Sequence, residues 1–454
     1  MKKTNKTFKI KRTVRSKSKI KKNKPRKTKT TKKSKRKGIY LSELLKTNHS
    51  YIISETTMTI KHYARIYPRI NNENILDFQI PGSRYQVQLN ELQLHFKIQI
   101  PAKPGGKTWE IIPQNWFGPK QFSSMEVKIN DEIVANRSMA NEYFLASYFN
   151  TIVSYQKGAV ASGCNTMGIF DYDNMNQVYL SQLAHFDTWV TKRKLMSTTG
   201  YDFEIVMPLQ NTIFFSENVL PSNLKWSVCF ERAKSVLSCL STKQSPDMAN
   251  DYLKTVFELE DVFLSIPYLE HKKTQQREAN WSVKPLTIHY DNYDVNRFVI
   301  PSGSTNCRLT NLLNGNLPKA IIFGIIKEDA YLGDYTLNST LFSNKGVRKM
   351  DIKVDGRSVA GCPYENSEVY CSIPYVRLME LIGQYGNPDV GSVMNMREFK
   401  SGHYLHCAYL DNQIGSLSVE MEFNANVPEG YILIICGIRE TEMKIDKFGN
   451  FEIK

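Results

Sequence analysis

Apolar and polar residues alternate strictly along the segment Leu92 to Ile100, which reads LQLHFKIQI. Successive side chains of a β-strand point to opposite faces, so this pattern predicts a strand with one buried and one wet face. Other short apolar runs bounded by Gly, Pro, Asn and Asp also predict strands, among them FEIVMP, KWSVCF, VFLSI, KAIIFGII, SLSVEMEF and YILIICGI.

One pattern of this kind occurs twice. Met125 to Ala135 reads MEVKINDEIVA, and Met350 to Ala360 reads MDIKVDGRSVA. Each predicts two short strands joined by a two-residue turn, Asn130-Asp131 in the first copy and Asp355-Gly356 in the second. Asp-Gly is a strong hairpin signal because a type I′ turn needs positive φ at both central positions. Both segments therefore predict the same hairpin.

Two further matches flank the hairpins in the same order. FQIPGS (Phe78 to Ser83) matches FVIPSG (Phe298 to Gly303), and LPSNLKWSVCF (Leu220 to Phe230) matches VPEGYILIICG (Val427 to Gly437). Each match is weak alone, but their common order indicates a duplicated domain.

An amphipathic helix is predicted after each hairpin, because apolar residues recur at helical spacing on one face. The first lies in Asn141 to Tyr155, and the second follows Ser372 and Pro374. Their apolar faces comprise Phe144, Leu145, Tyr148, Phe149, Ile152 and Val153 in the first, and Tyr375, Leu378, Met379, Ile382 and Tyr385 in the second. The predicted fold is all-β, with two antiparallel β-sandwiches in tandem and short helices.

The chain length of 454 residues suits two domains of roughly 200 residues better than one core. We expect a disordered basic arm over residues 1–38 and a linker with a short helix (LSELLK, Leu41 to Lys46) over residues 39–74. The first sandwich is expected over residues 75–275 and the second over residues 276–454.

The net charge of +16 belongs to the arm. Residues 1–38 hold 20 Lys and Arg and no acidic residue, which leaves 40 basic against 44 acidic residues in the remainder. Such a segment buries too little apolar surface to order itself. It is a candidate for nuclear import or for phosphate binding, and the sequence does not separate the two. The residues concerned are Lys19, Lys21, Lys22, Lys24, Arg26, Lys27, Lys32, Lys33, Lys35, Arg36 and Lys37.

The eight cysteines lack C-x-x-C spacing, and several lie in apolar runs, so we expect reduced core thiols. No apolar segment follows the N-terminal charges as in a secretory signal, and no apolar run is long enough for a membrane span. We expect cytosolic synthesis and no membrane span.

The sequence lacks the common catalytic motifs for nucleophilic serine, phosphate loops, zinc and dinucleotides. His403, His406 and Cys407 are the best candidate metal ligands, but on a strand His406 would point away from the other two. The carboxylates Glu258, Glu260, Asp261, Glu328, Asp329 and Asp334 are candidate acid/base groups, although charged residues beside strands are usually solvated. We therefore expect no catalytic residue, no metal and no cofactor.

The first half of the chain resembles double jelly-roll major capsid proteins in three segments, FQIPGSRYQVQLNELQLHFKIQI, NWFGPKQFSSMEVKINDEIVANRSMANEYFLASYFNTIVSYQKGA and YDFEIVMPLQNTIFFSENVLPSNLKWSVCFERA. The second half is similar in FVIPSGSTNCRLTNLLNGNLPKAIIFGIIKEDAYLGDYTLNST, the MDIKVDGRSVAG hairpin and VEMEFNANVPEGYILIICG. The resemblance covers about residues 75 to 450. It is strongest to the hexon-like proteins of Polinton (Maverick) elements, adintoviruses and virophages, and more distant to adenovirus.

The resemblance implies two tandem antiparallel jelly-roll β-sandwiches and a homotrimer whose six jelly rolls form a pseudo-hexagonal capsomer. Such a capsomer contacts neighbouring capsomers and penton or minor capsid proteins in an icosahedral virion. The basic arm is not part of the shared pattern; it suits contact with packaged DNA, entry into the host nucleus after synthesis in the host cytoplasm, or removal during maturation. Two alternatives remain at this point: a nucleic-acid-binding structural protein that acts through its arm, and a jelly-roll carbohydrate-binding module or enzyme.

Overall fold

The structure is a computed structural model that describes residues 59–101, 111–135, 142–156, 163–168, 200–215, 219–233, 240–242, 258–271, 286–334, 337–365, 371–386, 394–446 and 450–453. The basic arm and the predicted helix at Leu41 to Lys46 lie outside these residues.

The first half of the chain is built mainly from strands, with one α-helix and four 3-10 helices in its described part. Its strands are β1 (Thr59–Ile66), β2 (Ile70–Asn71), β3 (Ile75–Ile80), β4 (Gln86–Gln88), β5 (Gln93–Pro101), β6 (Ile111–Pro113), β7 (Phe122–Ile129), β8 (Glu132–Ala135), β9 (Gly200–Pro208), β10 (Val219–Leu220), β11 (Trp226–Arg232), β12 (Leu240–Thr242) and β13 (Leu259–His271). Its helices are α1 (Glu142–Ser154) and the 3-10 helices Leu89–Glu91, Pro119–Gln121, Gly163–Met167 and Thr212–Phe215.

The second half follows the same pattern of strands, a hairpin and a helix. Its strands are β14 (Leu286–Ile300), β15 (Asn306–Asn316), β16 (Ala320–Lys327), β17 (Val347–Val354), β18 (Arg357–Ser358), β19 (Tyr364–Glu365), β20 (Leu405–Tyr409), β21 (Ile414–Phe423), β22 (Tyr431–Ile445) and β23 (Phe451–Ile453). Its helices are α2 (Glu328–Tyr331), α3 (Ser372–Leu381) and α4 (Met396–Gly402).

Each half forms a sandwich of two antiparallel sheets with the same strand order. In the first half, sheet A has the order β1-β13-β5-β9 with β4 and β10 attached, and sheet B has the order β2-β3-β11-β7-β8. In the second half, sheet C has the order β14-β22-β16-β20 with β23 attached, and sheet D has the order β15-β21-β17-β18 with β19 attached. Sheets A and B make up the first jelly roll, and sheets C and D make up the second. The predicted all-β tandem architecture is confirmed.

The matched order makes strands of the two halves equivalent in pairs. Strand β1 corresponds to β14, β3 to β15, β5 to β16 and β7 to β17, while β9, β11 and β13 correspond to β20, β21 and β22. Both predicted hairpins occupy equivalent positions, β7-β8 in sheet B and β17-β18 in sheet D. Their turns have positive φ at both central residues, Asn130 (47°) with Asp131 (70°) and Asp355 (49°) with Gly356 (78°).

The two flanking sequence matches are not structurally equivalent. FQIPGS ends strand β3 of sheet B, whereas FVIPSG ends strand β14 of sheet C. Likewise, LPSNLKWSVCF leads into β11 of sheet B, whereas VPEGYILIICG leads into β22 of sheet C. The equal strand order of the two halves supports a duplicated domain. These two sequence matches do not, because they join similar strand ends that lie in different sheets. Pairing partners, which lie far apart in sequence, decide which strands correspond.

The segment 39–74, predicted as a linker, contains strand β1. This strand pairs with β13 over its whole length, from Thr59 opposite His271 to Ile66 opposite Leu264. The first jelly roll therefore begins before residue 75. The predicted boundary between residues 275 and 276 lies in a segment outside the described residues.

The two central strands of sheet C, β16 and β22, are buried on both faces over eight residues each. All eight residues of β16 are buried, and so are the first eight of β22. Ile321, Phe323 and Ile325 belong to a core shared with sheet D, whereas Ile322 and Ile326 belong to a second core that continues into the first jelly roll. The uninterrupted apolar runs KAIIFGII and YILIICGI follow from this double burial, because neither face meets water. Strand β5 in sheet A is instead buried on one face only, the face that carries Leu94, Phe96 and Ile98.

Candidate functional site

The metal-ligand candidates of the sequence do not form a cluster. His403 ends helix α4, where its Nδ1 lies 2.7 Å from the Tyr148 Oη. His406 lies in β20 with its ring 5.5 Å from that of Phe323, inside the second sandwich, while Cys407 is on the opposite face of the strand. Burial lowers the pKa of both histidines to about 3, so they are neutral near pH 7. Burial also raises the pKa of Cys407 to about 12. Among the described residues, no group of three or more His, Cys, Asp or Glu is placed to hold a metal ion.

The candidate carboxylates lie at the surface of the two jelly rolls. The Asp261 carboxylate forms an ion pair with Lys97, with 2.6 Å between Oδ2 and Nζ, and both side chains are exposed. Asp329 lies 3.6 Å from Lys327, whose Nζ also lies 2.7 Å from Glu429. Glu258, Glu260 and Asp334 are exposed, and Glu328 begins the short helix α2. These positions are typical of solvated strand ends.

The eleven candidate residues of the arm that the sequence analysis names lie outside the described residues, and their role stays a prediction. Within the described part of the chain, no helix is long and apolar enough to cross a membrane.

The most elaborate constellation of polar groups lies between the two jelly rolls, a contact that we call the junction. Lys120 is 2% exposed, and its Nζ donates to Gln114 Oε1 and to Ser339 Oγ, each at 2.7 Å. Gln114 Nε2 in turn donates to the Leu337 carbonyl oxygen at 2.9 Å. The Lys120 ammonium also lies 4.7 Å from the ring centre of Phe144. These hydrogen bonds satisfy polar groups that would otherwise be expensive to bury.

Aromatic side chains surround this network. The ring of Tyr148, on helix α1, lies 4.9 Å from that of Trp116 and 4.9 Å from that of Phe342 in the second jelly roll. Phe342 packs onto sheet C at Gly324, where an added Cβ would lie 2.6 Å from the Phe342 ring. At the edge of sheet C, the Tyr290 hydroxyl donates to the carbonyl oxygen of Val134 at 2.6 Å.

The junction therefore fixes the two jelly rolls against each other. One continuous hydrophobic core runs from Leu76 of sheet B to Ile445 of sheet C, and the buried polar groups give the contact a single register. The junction was not predicted from the sequence. The apolar runs KAIIFGII and YILIICGI could have indicated it. A strand of a two-sheet sandwich needs only one apolar face, so an uninterrupted apolar run indicates that the second face is also buried.

The corresponding outer face of sheet A is a second candidate surface, on which Tyr63, Arg65 and Lys97 are exposed. Its side chains come from alternate residues of β1, β13 and β5 and include Tyr63, Arg65, His95, Lys97 and Phe263. The Arg65 guanidinium lies 4.7 Å from the Phe263 ring centre, and the His95 ring stacks on Phe263 at 4.5 Å. Tyr63 is 59% exposed, and its hydroxyl donates to Glu91 Oε2 at 2.7 Å.

The fold is similar to solved virus structures over most of the chain. A chain of the Sputnik virophage, solved by cryo-EM, has a TM-score of 0.60 at 11% identity and covers 90% of this chain and 91% of that chain. The PBCV-1 virus capsid gives 0.56 at 12% identity, covering 90% and 99%. The mavirus major capsid protein gives 0.53 at 14% identity, covering 95% and 97%. No family model and no curated protein sequence matches the chain. The chain thus has the double jelly-roll fold of viral major capsid proteins.

Proposed function

We propose that this chain is the major capsid protein of a double-stranded DNA virus or virus-like element. The observation that carries the proposal is the likeness of both jelly rolls together to capsid structures, at 90% coverage or more of this chain. Its role is structural, and its working parts are surfaces rather than a catalytic centre.

The capsomer is a homotrimer with six jelly rolls in a ring. Two equivalent sandwiches held by a rigid junction provide two sixths of such a ring, so three chains related by a three-fold axis complete it. Closed cyclic symmetry of this kind leaves no unpaired surface within the ring. The outer edges then contact neighbouring capsomers and penton or minor capsid proteins.

The mass of the purified protein in solution tests this proposal. We expect light scattering to give three times the chain mass of 52.3 kDa, or larger arrays built from that unit. A monodisperse monomer across the micromolar range would contradict a capsomer.

The basic arm, in this proposal, contacts packaged DNA on the inner side of the shell. The support is its charge: 20 Lys and Arg without one acidic residue in residues 1–38. Binding through phosphates is sequence-independent, and its affinity falls steeply with salt because counterions are released. The same arm suits recognition for nuclear import, which would bring subunits from the host cytoplasm to the host nucleus before they enter the virion.

Deletion of residues 1–38 separates capsomer formation from the functions of the arm. We expect the shortened chain to remain a trimer and to lose salt-sensitive binding to duplex DNA of any sequence. Replacement of the eleven basic residues by Gln in the full chain is the matched control for length. Loss of the trimer together with DNA binding would instead favour the alternative, a nucleic-acid-binding structural protein that acts mainly through its arm.

A further inference from the structure

Sheets A and C occupy equivalent positions in the two jelly rolls, yet their outer faces differ in chemistry. The outer face of sheet C is apolar and buried, with Ile322, Ile434, Cys436 and Leu405 all less than 1% exposed. The outer face of sheet A instead mixes aromatic and charged side chains. The outer face of sheet C is covered within the chain, whereas the outer face of sheet A exposes Tyr63, Arg65 and Lys97.

Helix α1 and its neighbours show how such a face is covered. They belong to the first jelly roll but pack against β14, the edge strand of sheet C. The Tyr290 hydroxyl donates to the Val134 carbonyl oxygen, and Tyr293 packs against the core that the two jelly rolls share. Strand β14 corresponds to β1 in sheet A.

Helix α3 is the counterpart of α1 in the second jelly roll. Each helix follows the equivalent hairpin, and each closes the sandwich beside an equivalent strand. Tyr143 of α1 accepts a hydrogen bond from Gln210 N just after β9, and the Glu380 carbonyl of α3 accepts one from Tyr409 at the end of β20. The buried side of α3 carries Leu378 and Met379.

The outward side of α3 lacks a covering partner among the described residues of its own chain. Ile373 is 59% exposed there, and Arg377 is also exposed. Helix α1 contacts β14, the edge strand of sheet C. The equivalent edge strand of the other sandwich is β1, in the first jelly roll.

The outer face of sheet A has the composition of a surface that is soluble before association and buried afterwards. Tyr63 and Tyr67 are 59% and 64% exposed, Arg65 lies over Phe263, and Lys97 pairs with Asp261. Tyrosine, phenylalanine and arginine are enriched in interfaces between separately folded proteins, whereas permanently buried contacts are more apolar. The buried face of sheet C belongs to the second class.

We infer that the outer face of sheet A binds helix α3 of a second copy of this chain, as sheet C binds α1 within one chain. The inference rests on the proposed function, in which six jelly rolls form a ring. The contact is head-to-tail, because the two surfaces lie on different jelly rolls, and three such contacts close the ring. In this arrangement Ile373 of one copy lies against β1 and Tyr67 of the next.

Two variants test the two sides of this contact, Ile373→Asp on α3 and Tyr67→Asp beside β1. Both side chains are exposed, so folding should be retained, as judged by thermal unfolding of each variant. We expect each charge to weaken the contact by roughly 30-fold or more, the size of a hot-spot loss, and to convert the trimer to a monomer in light scattering. Ile414→Asp in sheet D is the matched control, since Ile414 is 76% exposed and takes no part in the contact. It should remain a trimer.

Mixing the two variants gives a sharper result. The α3 surface of the Tyr67→Asp chain is intact, and so is the sheet A face of the Ile373→Asp chain, so the mixture should form dimers and stop there. A wild-type trimer whose variants stay trimeric, or variants that stay monomeric when mixed, would overturn this inference alone. A wild-type monomer would overturn both the inference and the proposed function.

Discussion

His406 lies in an aromatic cage inside the second jelly roll, among the rings of Phe323, Tyr364 and Tyr404 at 5.4 to 5.7 Å. Its Nδ1 is buried without a hydrogen-bond partner. An imidazole in this environment is held neutral by desolvation, and that neutrality links the stability of the fold to pH.

We expect the free energy of unfolding to fall as the pH drops below about 6.5, the pKa of an unfolded histidine. Burial lowers the pKa of His406 to about 3 in the folded chain, and His403 behaves alike. Between these two pH values the unfolded chain binds more protons than the folded chain. Each histidine therefore lowers the free energy of unfolding by up to ~1.4 kcal/mol for each pH unit of acidification.

The His406→Phe variant should remove part of this slope, because His403 and His95, whose pKa values burial also lowers, remain. Its stability near neutral pH should be unchanged or higher. Urea unfolding from about pH 7 to about pH 4 measures it. His289→Phe is the matched control for the substitution itself, because the His289 side chain lies at the surface and is 45% exposed. An unchanged slope in His406→Phe would contradict the assignment.

The sequence predicted these residues only in part. Alternation correctly separated His406 from Cys407, which point to opposite faces of β20. It wrongly extended the strand to His403, where the chain is still leaving α4, a helix that begins with a capping box of Asn395 and Glu398. The hydrogen bond between Tyr148 and His403 joins residues 255 positions apart, and no local pattern encodes it.

The two hairpin turns use different residues for the same backbone. Asp131 and Gly356 hold equivalent positions, with φ of 70° and 78°. A residue with a Cβ is strained in this region, whereas glycine is not. Nothing lies within 4 Å of a Cβ added at Gly356, so the backbone alone decides the cost of a substitution there.

We expect Gly356→Ala to lower the free energy of unfolding by about 1 kcal/mol and Asp131→Gly to raise it by about 0.5 kcal/mol. Chemical denaturation of the two variants beside the wild type measures both changes. Each variant controls for the other, since the signs are opposite at equivalent sites. Changes of the same sign would show that the turns are not equivalent.

Local patterns predicted the hairpins, helix α1 and strand β5, because each depends on residues that are close in sequence. Strand β1 was missed for a physical reason. Its inward residues are His62, Ala64 and Ile66, while the aromatic Tyr63 points outward, so the alternation of apolar and polar positions is obscured. An outward aromatic residue is what a surface reserved for a partner requires. Helix α3 ends at Leu381, so the predicted Tyr385 lies beyond it and is 60% exposed.

At the scale of the whole molecule, a duplicated sandwich has become asymmetric. The outer face of sheet C is apolar and largely buried, whereas the outer face of sheet A carries charged and aromatic side chains. In the proposed capsomer, the two halves join once within the chain, through the junction, and once between chains. A ring in which these two contacts alternate closes after three chains.

Imaging the purified full chain by electron microscopy tests this account most directly. Averaged end-on views should show a six-lobed, pseudo-hexagonal ring with three-fold symmetry, in which contacts within and between chains alternate. Single two-lobed particles, or rings with another number of lobes, would contradict the proposal that three double jelly rolls build one capsomer.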